Sequence, residues 1–239
     1  MTFDIIEVEK TRSTNDDIRK LAAAGYKEGT VVSSNEQSCG RGTKGRSFIS
    51  LKGGLYFSLL LRPKKTDCIT AMAAVAVLRA LKKETGAPVG IKWTNDIYLC
   101  GKKICGILCE SAFSNDSEPD FVVLGIGINL SYQHFTIELD DIATSLEKEG
   151  YSFDKKALLN RILCEFDDIY LGSKGWLDDY RKYSVILGKK ITVIGHSESY
   201  EALAVGIDEE GHLNVKKENG DTVTLFSGEI SVRLSKKDK

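Results

Sequence analysis

The sequence predicts an α+β chain in two parts, a larger one that mixes strands with helices and a small all-β one behind it. Two observations carry the first part. Apolar residues recur at helical spacing (Ile18, Leu21, Ala22; Leu158, Ile162, Phe166, Ile169), and short apolar runs such as 121–129 lie between those stretches. The third observation is a change of texture near Val185. Short strand-like segments follow at 189–195, 200–207, 212–217 and 221–226, separated by Gly195-His196, Glu210-Gly211 and Asn219-Gly220, the pattern of a small barrel. Domains are therefore expected over 1–184 and 185–239.

In order, residues 3–9 form a short strand. A helix follows, capped by Ser13 or Thr14, with Asp16 and Asp17 in the first turn where the helix dipole favours acids, and Gly25 as its stop. Residues 30–35 are a strand and 36–54 a long glycine-rich loop, which inside a compact domain points to function rather than mere connection. Residues 55–62 form a strand, and 67–85 an Ala-rich helix capped by Thr66 or Asp67 and stopped by Gly86. A strand begins at 91–93, and 97–100 pairs with 103–112 in a hairpin about Gly101-Lys102. Then come a polar turn (114–120), a central strand (121–129), a solvated loop with a short helix (138–149) and a long helix (154–170).

Lys plus Arg number 33 against 34 Asp plus Glu, a net charge of -1. Capture of nucleic acid or a membrane surface by net charge is excluded, so any anion site is local. The charge is uneven: seven basic residues and no acid stand between Gln37 and Thr66, and five glycines fall between Gly40 and Gly54. The mixed acids and bases of the first residues are unlike a signal peptide. The longest uncharged stretch, 121–137, carries Gly, Asn, Ser, Gln and His, unlike a bilayer span. Six cysteines form no C-x-x-C pair and sit mostly in apolar segments, as buried free thiols of a cytoplasmic protein do.

Four segments carry chemistry. In Gln37-Ser-Cys-Gly-Arg-Gly-Thr-Lys-Gly-Arg46, glycines free the backbone to wrap an anion while Arg41, Lys44 and Arg46 supply charge-assisted donors. It is neither a Walker loop nor a dinucleotide fingerprint. Lys92-Trp-Thr-Asn-Asp96 places Asn95 and Asp96 in a turn, and the hairpin returns Lys103 toward it, a set suited to a carboxylate and a phosphoryl group; turn chemistry alone explains Asn95-Asp96 equally well. In Leu124-Gly-Ile-Gly-Ile-Asn129 the glycines allow close approach, and Asn129 offers a donor and an acceptor to a base or ribose. Ser13-Thr14-Asn15 reads first as a helix cap, a role compatible with polar groups at a helix mouth. The three histidines are isolated and resemble no metal cluster.

Together these segments resemble the biotin protein ligase family: GRG-x-x-GR (40–46), KW-x-ND (92–96), K-x-x-GIL-x-E (103–110), G-x-GIN (125–129), S-T-N near the start and SGEIS (227–231) occur in that family's order over essentially the whole chain. The resemblance implies a central mixed β-sheet with flanking helices, of the class II synthetase-like kind, followed by an SH3-like barrel. It implies that biotin and Mg2+-ATP form biotinyl-5′-AMP, and that a lysine of a biotin carboxyl carrier protein then accepts the biotin. Ser13, Thr14, Asn15 and Gln37 would bind biotin, with Gly106 and Ile107 as pocket wall. Arg41, Gly42, Thr43, Arg46, Phe48, Lys103 and Asn129 would bind ATP or the adenylate. Lys103, Arg41, Asn95 and Asp96 would carry the chemistry, with Asp96 reaching the metal, and no metal would be tightly bound.

Three positions depart from the family pattern. Thr94 stands where proline is usual, Phe48 where tryptophan is, and Thr43 where arginine is common. Phe48 still suits an adenine face. No DNA-binding segment precedes Phe3, so no operator binding is expected. Edge strands of the sheet suit pairing with a second copy, as in a homodimer, or with the carrier. Two rival readings stand beside this one: a lipoyl or octanoyl transferase using Cys105 or Cys109, and a non-catalytic biotin- or nucleotide-binding regulator.

Overall fold

The computed structural model describes residues 1–63, 66, 68–113, 119–131, 137–195, 198–226 and 231–234, with only the backbone at 137, 138 and 231–234. Asp67 as a cap, most of the polar turn at 114–120, His134, His196 and most of SGEIS lie outside these residues.

The larger part is built on a seven-stranded sheet in the order β1-β2-β3-β7-β6-β5-β4. Its strands are β1 (Asp4–Thr11), β2 (Thr30–Gln37), β3 (Leu55–Leu61), β4 (Gly90–Lys92), β5 (Asp96–Leu99), β6 (Lys102–Ala112) and β7 (Phe121–Ile128). The sheet is mixed: β1 and β2 are parallel, joined by helix α1 (Thr14–Ala23), and every other neighbouring pair is antiparallel. Side chains alternate across it. Phe57, Leu59 and Leu61 of β3, with Leu124 and Ile126 of β7, pack toward helices α2 (Ile69–Thr85) and α4 (Lys155–Tyr170). Leu60 and Val123 face the other way, where Ile18 and Ala22 of α1 cover them.

Each helix follows from its residues. Ile18 and Ala22 bury one stripe of α1, and Gly25 ends it with φ +86°, as its placement after the apolar stripe predicts. Ser13 occupies the N-cap position, but its side chain makes no capping hydrogen bond. The long run of small residues lets α2 nest between the sheet and α4, and Gly86 at φ +71° stops it. Its N-cap is Cys68, not Thr66. Asp154 caps α4 through two backbone N–H bonds of 2.9 Å, from Lys156 and Ala157. Helix α3 is the short turn Ile137–Asp140.

Two details differ from expectation. The β5–β6 turn centres on Cys100-Gly101, both at positive φ (50° and 76°), one residue earlier than expected, because a tight primed turn needs left-handed backbone at both central positions. A fifth helix, α5 (Trp176–Lys182), has no counterpart in the expected elements; seven residues give too short a pattern to detect.

The second part is a five-stranded antiparallel, barrel-like sheet in the order β11-β10-β9-β8-β12: β8 (Lys190–Ile194), β9 (Ser199–Ile207), β10 (Leu213–Lys217), β11 (Thr222–Leu225) and β12 (Ser231–Leu234). The two parts share one continuous core. The Trp93 indole donates to Gly211 O at 3.0 Å, Arg181 Nε to Ile207 O at 2.9 Å, and Ile91 bonds the backbone of Tyr183 and Val185. The connecting segment thereby covers the β4 edge, and β1 is the edge strand on the other side.

Replacing Asp154 with Ala is expected to destabilise the protein by about 1 kcal/mol, lowering Tm by about 2–4 °C. Thermal unfolding checks this. Ser13→Ala, which removes no capping bond, should shift Tm less; equal shifts would contradict the capping assignment.

Candidate active site

The sheet face toward α1 has little side-chain volume at its centre. Gly106 of β6 lies directly opposite Gly127 of β7, and Asp96 of β5 lies opposite Gly106, so all three share that face with Gly125. Side chains from outside occupy the space. A Cβ on Gly125 would lie 2.2 Å from Asn15 Oδ1, and a Cβ on Gly127 would lie 2.8 Å from the Phe48 ring. One on Gly106 would meet Phe48 and Lys103 at 3.0 Å. The close approach expected at these glycines is real, and its partners are Asn15, Phe48 and Lys103.

The basic loop leaves β2 at Gln37 and doubles back on itself. Gln37 N–H donates to Ser50 O, Phe48 N–H to Gly40 O, and Gly42 N–H to Arg46 O at 2.7 Å, with a 3-10 turn at Thr43–Gly45 at the tip. A cleft of about 530 Å³ runs along it, lined among others by Gln37, Gly40, Arg41, Gly42, Arg46 and Phe48. Arg46 turns inward onto Thr43, donating to its carbonyl and hydroxyl.

Beside the loop, Thr14, Asn15 and Gln37 form a connected polar cluster with Ser58. Gln37 Oε1 accepts from Thr14 N–H (2.9 Å) and lies 3.1 Å from the Thr14 hydroxyl, and Gln37 Nε2 donates to Ser50 Oγ (2.8 Å). Ser58 Oγ lies 2.7 Å from Thr14 Oγ1 and 2.5 Å from Asn15 Oδ1. The Ser58 hydroxyl hydrogen goes to Asn15, whose Oδ1 only accepts, so the Thr14 hydroxyl can serve either Ser58 or Gln37 but not both. Such a proton-short cluster suits a ligand that brings its own donors. Ser13 is buried beside it at the mouth of α1, its hydroxyl unused in capping.

On the other side, Lys103 Nζ lies 2.6 Å from Asp96 Oδ1 and 5.6 Å from the Phe48 ring centroid. Asn95 pins the turn to β6 by donating to Ile107 O (2.7 Å) and accepting from Ile107 N–H (3.0 Å). The lysine stands at a seam with the carboxylate and Gly106 on the sheet and the ring on the loop. Asp96 Oδ1 is buried and lacks a hydrogen bond of good geometry despite the ion pair. A single carboxylate of this kind fits a magnesium ion delivered with phosphates, which keeps most of its waters, rather than a resident metal cage.

Two expected site residues stand apart from this group. The Ile107 side chain lies in the core on the opposite face, so only its backbone adjoins the site. Asn129 is buried with its amide donating to Thr144 O (3.1 Å), and the next carbonyl partner along, Lys103 O, accepts from Thr144 N–H; Asn129 thus braces the strand that carries Lys103. Phe48 lies against Gly106 and Gly127 and edge-on to Tyr56, at 6.3 Å between centroids. Sequence reasoning missed Ser58, which joins Thr14 and Asn15 in the polar cluster. The lone serine inside the apolar LYFSLLL strand was the available signal for Ser58.

The cysteines divide differently from expectation. Cys105 alone is fully buried, Cys68 and Cys109 are half-buried, and Cys39, Cys100 and Cys164 are exposed; all six are free. Alternation explains part of it, since a cysteine in a turn or on a solvent stripe has no core to enter. Burial raises the Cys105 thiol far above its ordinary range and pushes Cys109 up to about 12, so neither is poised as a nucleophile.

Comparison with known proteins fits this arrangement. Residues 7–129 match the family model described as the Biotin/lipoate A/B protein ligase family, and residues 186–233 match the Biotin protein ligase C terminal domain. The Bifunctional ligase/repressor BirA of Bacillus subtilis is 35% identical over 233 residues, 92% of this chain and 71% of that protein. The Biotin--[acetyl-CoA-carboxylase] ligase of Mycobacterium tuberculosis is 29% identical over 239 residues, 93% of this chain and 86% of that one. A solved structure of the biotin protein ligase from Aquifex aeolicus in complex with biotin and ATP superposes with a TM-score of 0.83 at 29% identity, covering 97% of this chain and 99% of that one. In class, then, this fold and site are those of a ligase. The chain belongs to the biotin protein ligase family, and the two family models match its larger and its C-terminal part in turn.

At about pH 8 a thiol reagent should modify Cys39 and Cys164 well before Cys105 and Cys109, read by peptide mass spectrometry. Labelling of Cys109 as fast as the exposed thiols would contradict its burial.

Proposed function

We propose that this chain condenses biotin with ATP to biotinyl-5′-AMP and pyrophosphate, then transfers the biotinyl group to a lysine of a biotin carboxyl carrier protein. The observation that carries the reading is the placement of Lys103. Its ammonium sits where the loop meets the glycine face, 2.6 Å from Asp96 Oδ1, under the Phe48 ring and against Gly106. A biotin carboxylate and a triphosphate repel each other, so an activating site must gather both under fixed cations before attack.

On this reading Ser13, Thr14, Asn15 and Gln37 hold the ureido end of biotin over Gly106. Lys103 takes the carboxylate and afterwards the adenylate phosphate. Arg41, Gly42 and Thr43 hold the nucleotide side, with Arg46 shaping the loop tip and Phe48 closing the cleft against water, which would hydrolyse the mixed anhydride. Asn95 fixes the turn, Asn129 supports the strand behind Lys103, and Asp96 would hold the magnesium that neutralises the departing pyrophosphate. The edge strand β1 is where a carrier, or a second copy in a homodimer, adds to the sheet. The six free thiols fit the cytoplasm. The net charge of -1 supplies no long-range attraction for a DNA duplex, and we propose no repressor function.

The burial of Cys105 and the raised thiols of Cys105 and Cys109 weigh against a lipoyl or octanoyl transferase that uses a cysteine nucleophile.

Mass spectrometry of a carrier domain incubated with this protein, ATP and biotin should show one added biotinyl group on a lysine. Lys103→Ala should slow that reaction about a hundredfold or more while leaving the Tm close to wild type; an unchanged rate would refute the assigned role. A gel shift with biotin, ATP and a biotin-operon promoter should show no specific retardation, and a specific complex would overturn the assignment of ligase function alone.

A further inference from the structure

Asp16 and Glu110 flank the site without a part in the reaction proposed above. Arg41 Nη1 lies 3.0 Å from Asp16 Oδ1 and 3.6 Å from Glu110 Oε1. Glu110 has other partners: its Oε1 pairs with Arg19 at 2.9 Å, and its Oε2 accepts from Asn15 Nδ2 at 2.7 Å. It therefore stays compensated whether or not Arg41 is there. Asp16 is held differently. It lies in the first turn of α1, a helix rooted in the core by Ile18 just beyond it. Arg41 sits on the loop with its side chain 45% exposed, so its guanidinium can swing at little packing cost.

We infer that Asp16 is a positioning residue that parks Arg41 between turnovers and competes with phosphate for it. The inference rests on the adenylate-forming reading. A phosphate reaching the same Nη1 would be brought against the Asp16 carboxylate, and two like charges cannot both be satisfied by one N–H. Arg41 must therefore exchange Asp16 for the nucleotide when the loop closes and return when product leaves. A pair between half-exposed groups is weak and screened by salt, which suits a contact surrendered in every cycle. Glu110 keeps the second anchor. By fixing Asn15 with one oxygen while facing Arg41 with the other, it joins the biotin-side cluster to the loop.

The test is the rate of biotinyl-5′-AMP formation from labelled ATP at saturating biotin, with ATP varied, for wild type, Asp16→Asn and Asp16→Glu, at low and high salt. Asp16→Asn should lower the KM for ATP about two- to fivefold at low salt without raising kcat, and the difference should shrink at high salt. Asp16→Glu should return KM toward wild type. An unchanged or raised KM in Asp16→Asn, or an effect independent of salt, would overturn the inference while leaving the adenylate reading intact. Absence of biotin-dependent product from the wild type would remove that reading and this inference with it.

Discussion

The two-residue period of the β-strand is the constraint on which the site depends. It sends Phe57, Leu59, Leu61, Leu124 and Ile126 to one face of the central sheet, where α2 and α4 bury them. The same period leaves Gly106, Gly125 and Gly127 on the other, so the packed face holds the backbone while three neighbouring positions of the opposite face carry no Cβ atom. Asn15 on a helix, Phe48 on a loop and Lys103 on the sheet itself then meet over bare backbone. A one-residue slip of β7 would turn Gly125 and Gly127 into the core and bring Leu124, Ile126 and Ile128 onto the site face.

Electrostatics follow the same economy. The protein is neutral overall, and the positive run between Gln37 and Thr66 does not act as a block. Arg62 is spent on structure, donating to Asp120 O and Tyr26 O. Arg46 folds onto Thr43 within the loop tip. Arg41 at the cleft and Lys103 on the sheet each stand beside a carboxylate (Asp16 and Asp96), so the field of these two cations is moderate until an anion exchanges with those acids.

Much of this was legible in the sequence. The helices at Ile18, along the alanine run and after Asp154 and the barrel-like second part follow from periodicity and turn chemistry, while the mixed sheet was implied by the family resemblance. The basic loop stood out because neither its length nor its glycines suit a connector. Less legible were features that depend on pairing across the fold. Ile107 belongs to the biotin-side motif in sequence, yet alternation turns its side chain into the core. Asn129 ends a strand as expected, but its amide serves Thr144. Ser58, Asp16 and Glu110 acquire meaning only when β3, α1 and β6 come together. The exposed cysteines were misread because an apolar neighbourhood along the chain does not reveal which face a side chain takes.

In the proposed reaction a biotin carboxylate and an ATP phosphate come together under Lys103 and Arg41. ATP–pyrophosphate exchange tests it most directly, since exchange requires reversible adenylate formation and no carrier. Exchange is expected to depend on biotin and not to be supported by lipoate or octanoate. Exchange supported by lipoate or octanoate but not by biotin would contradict it.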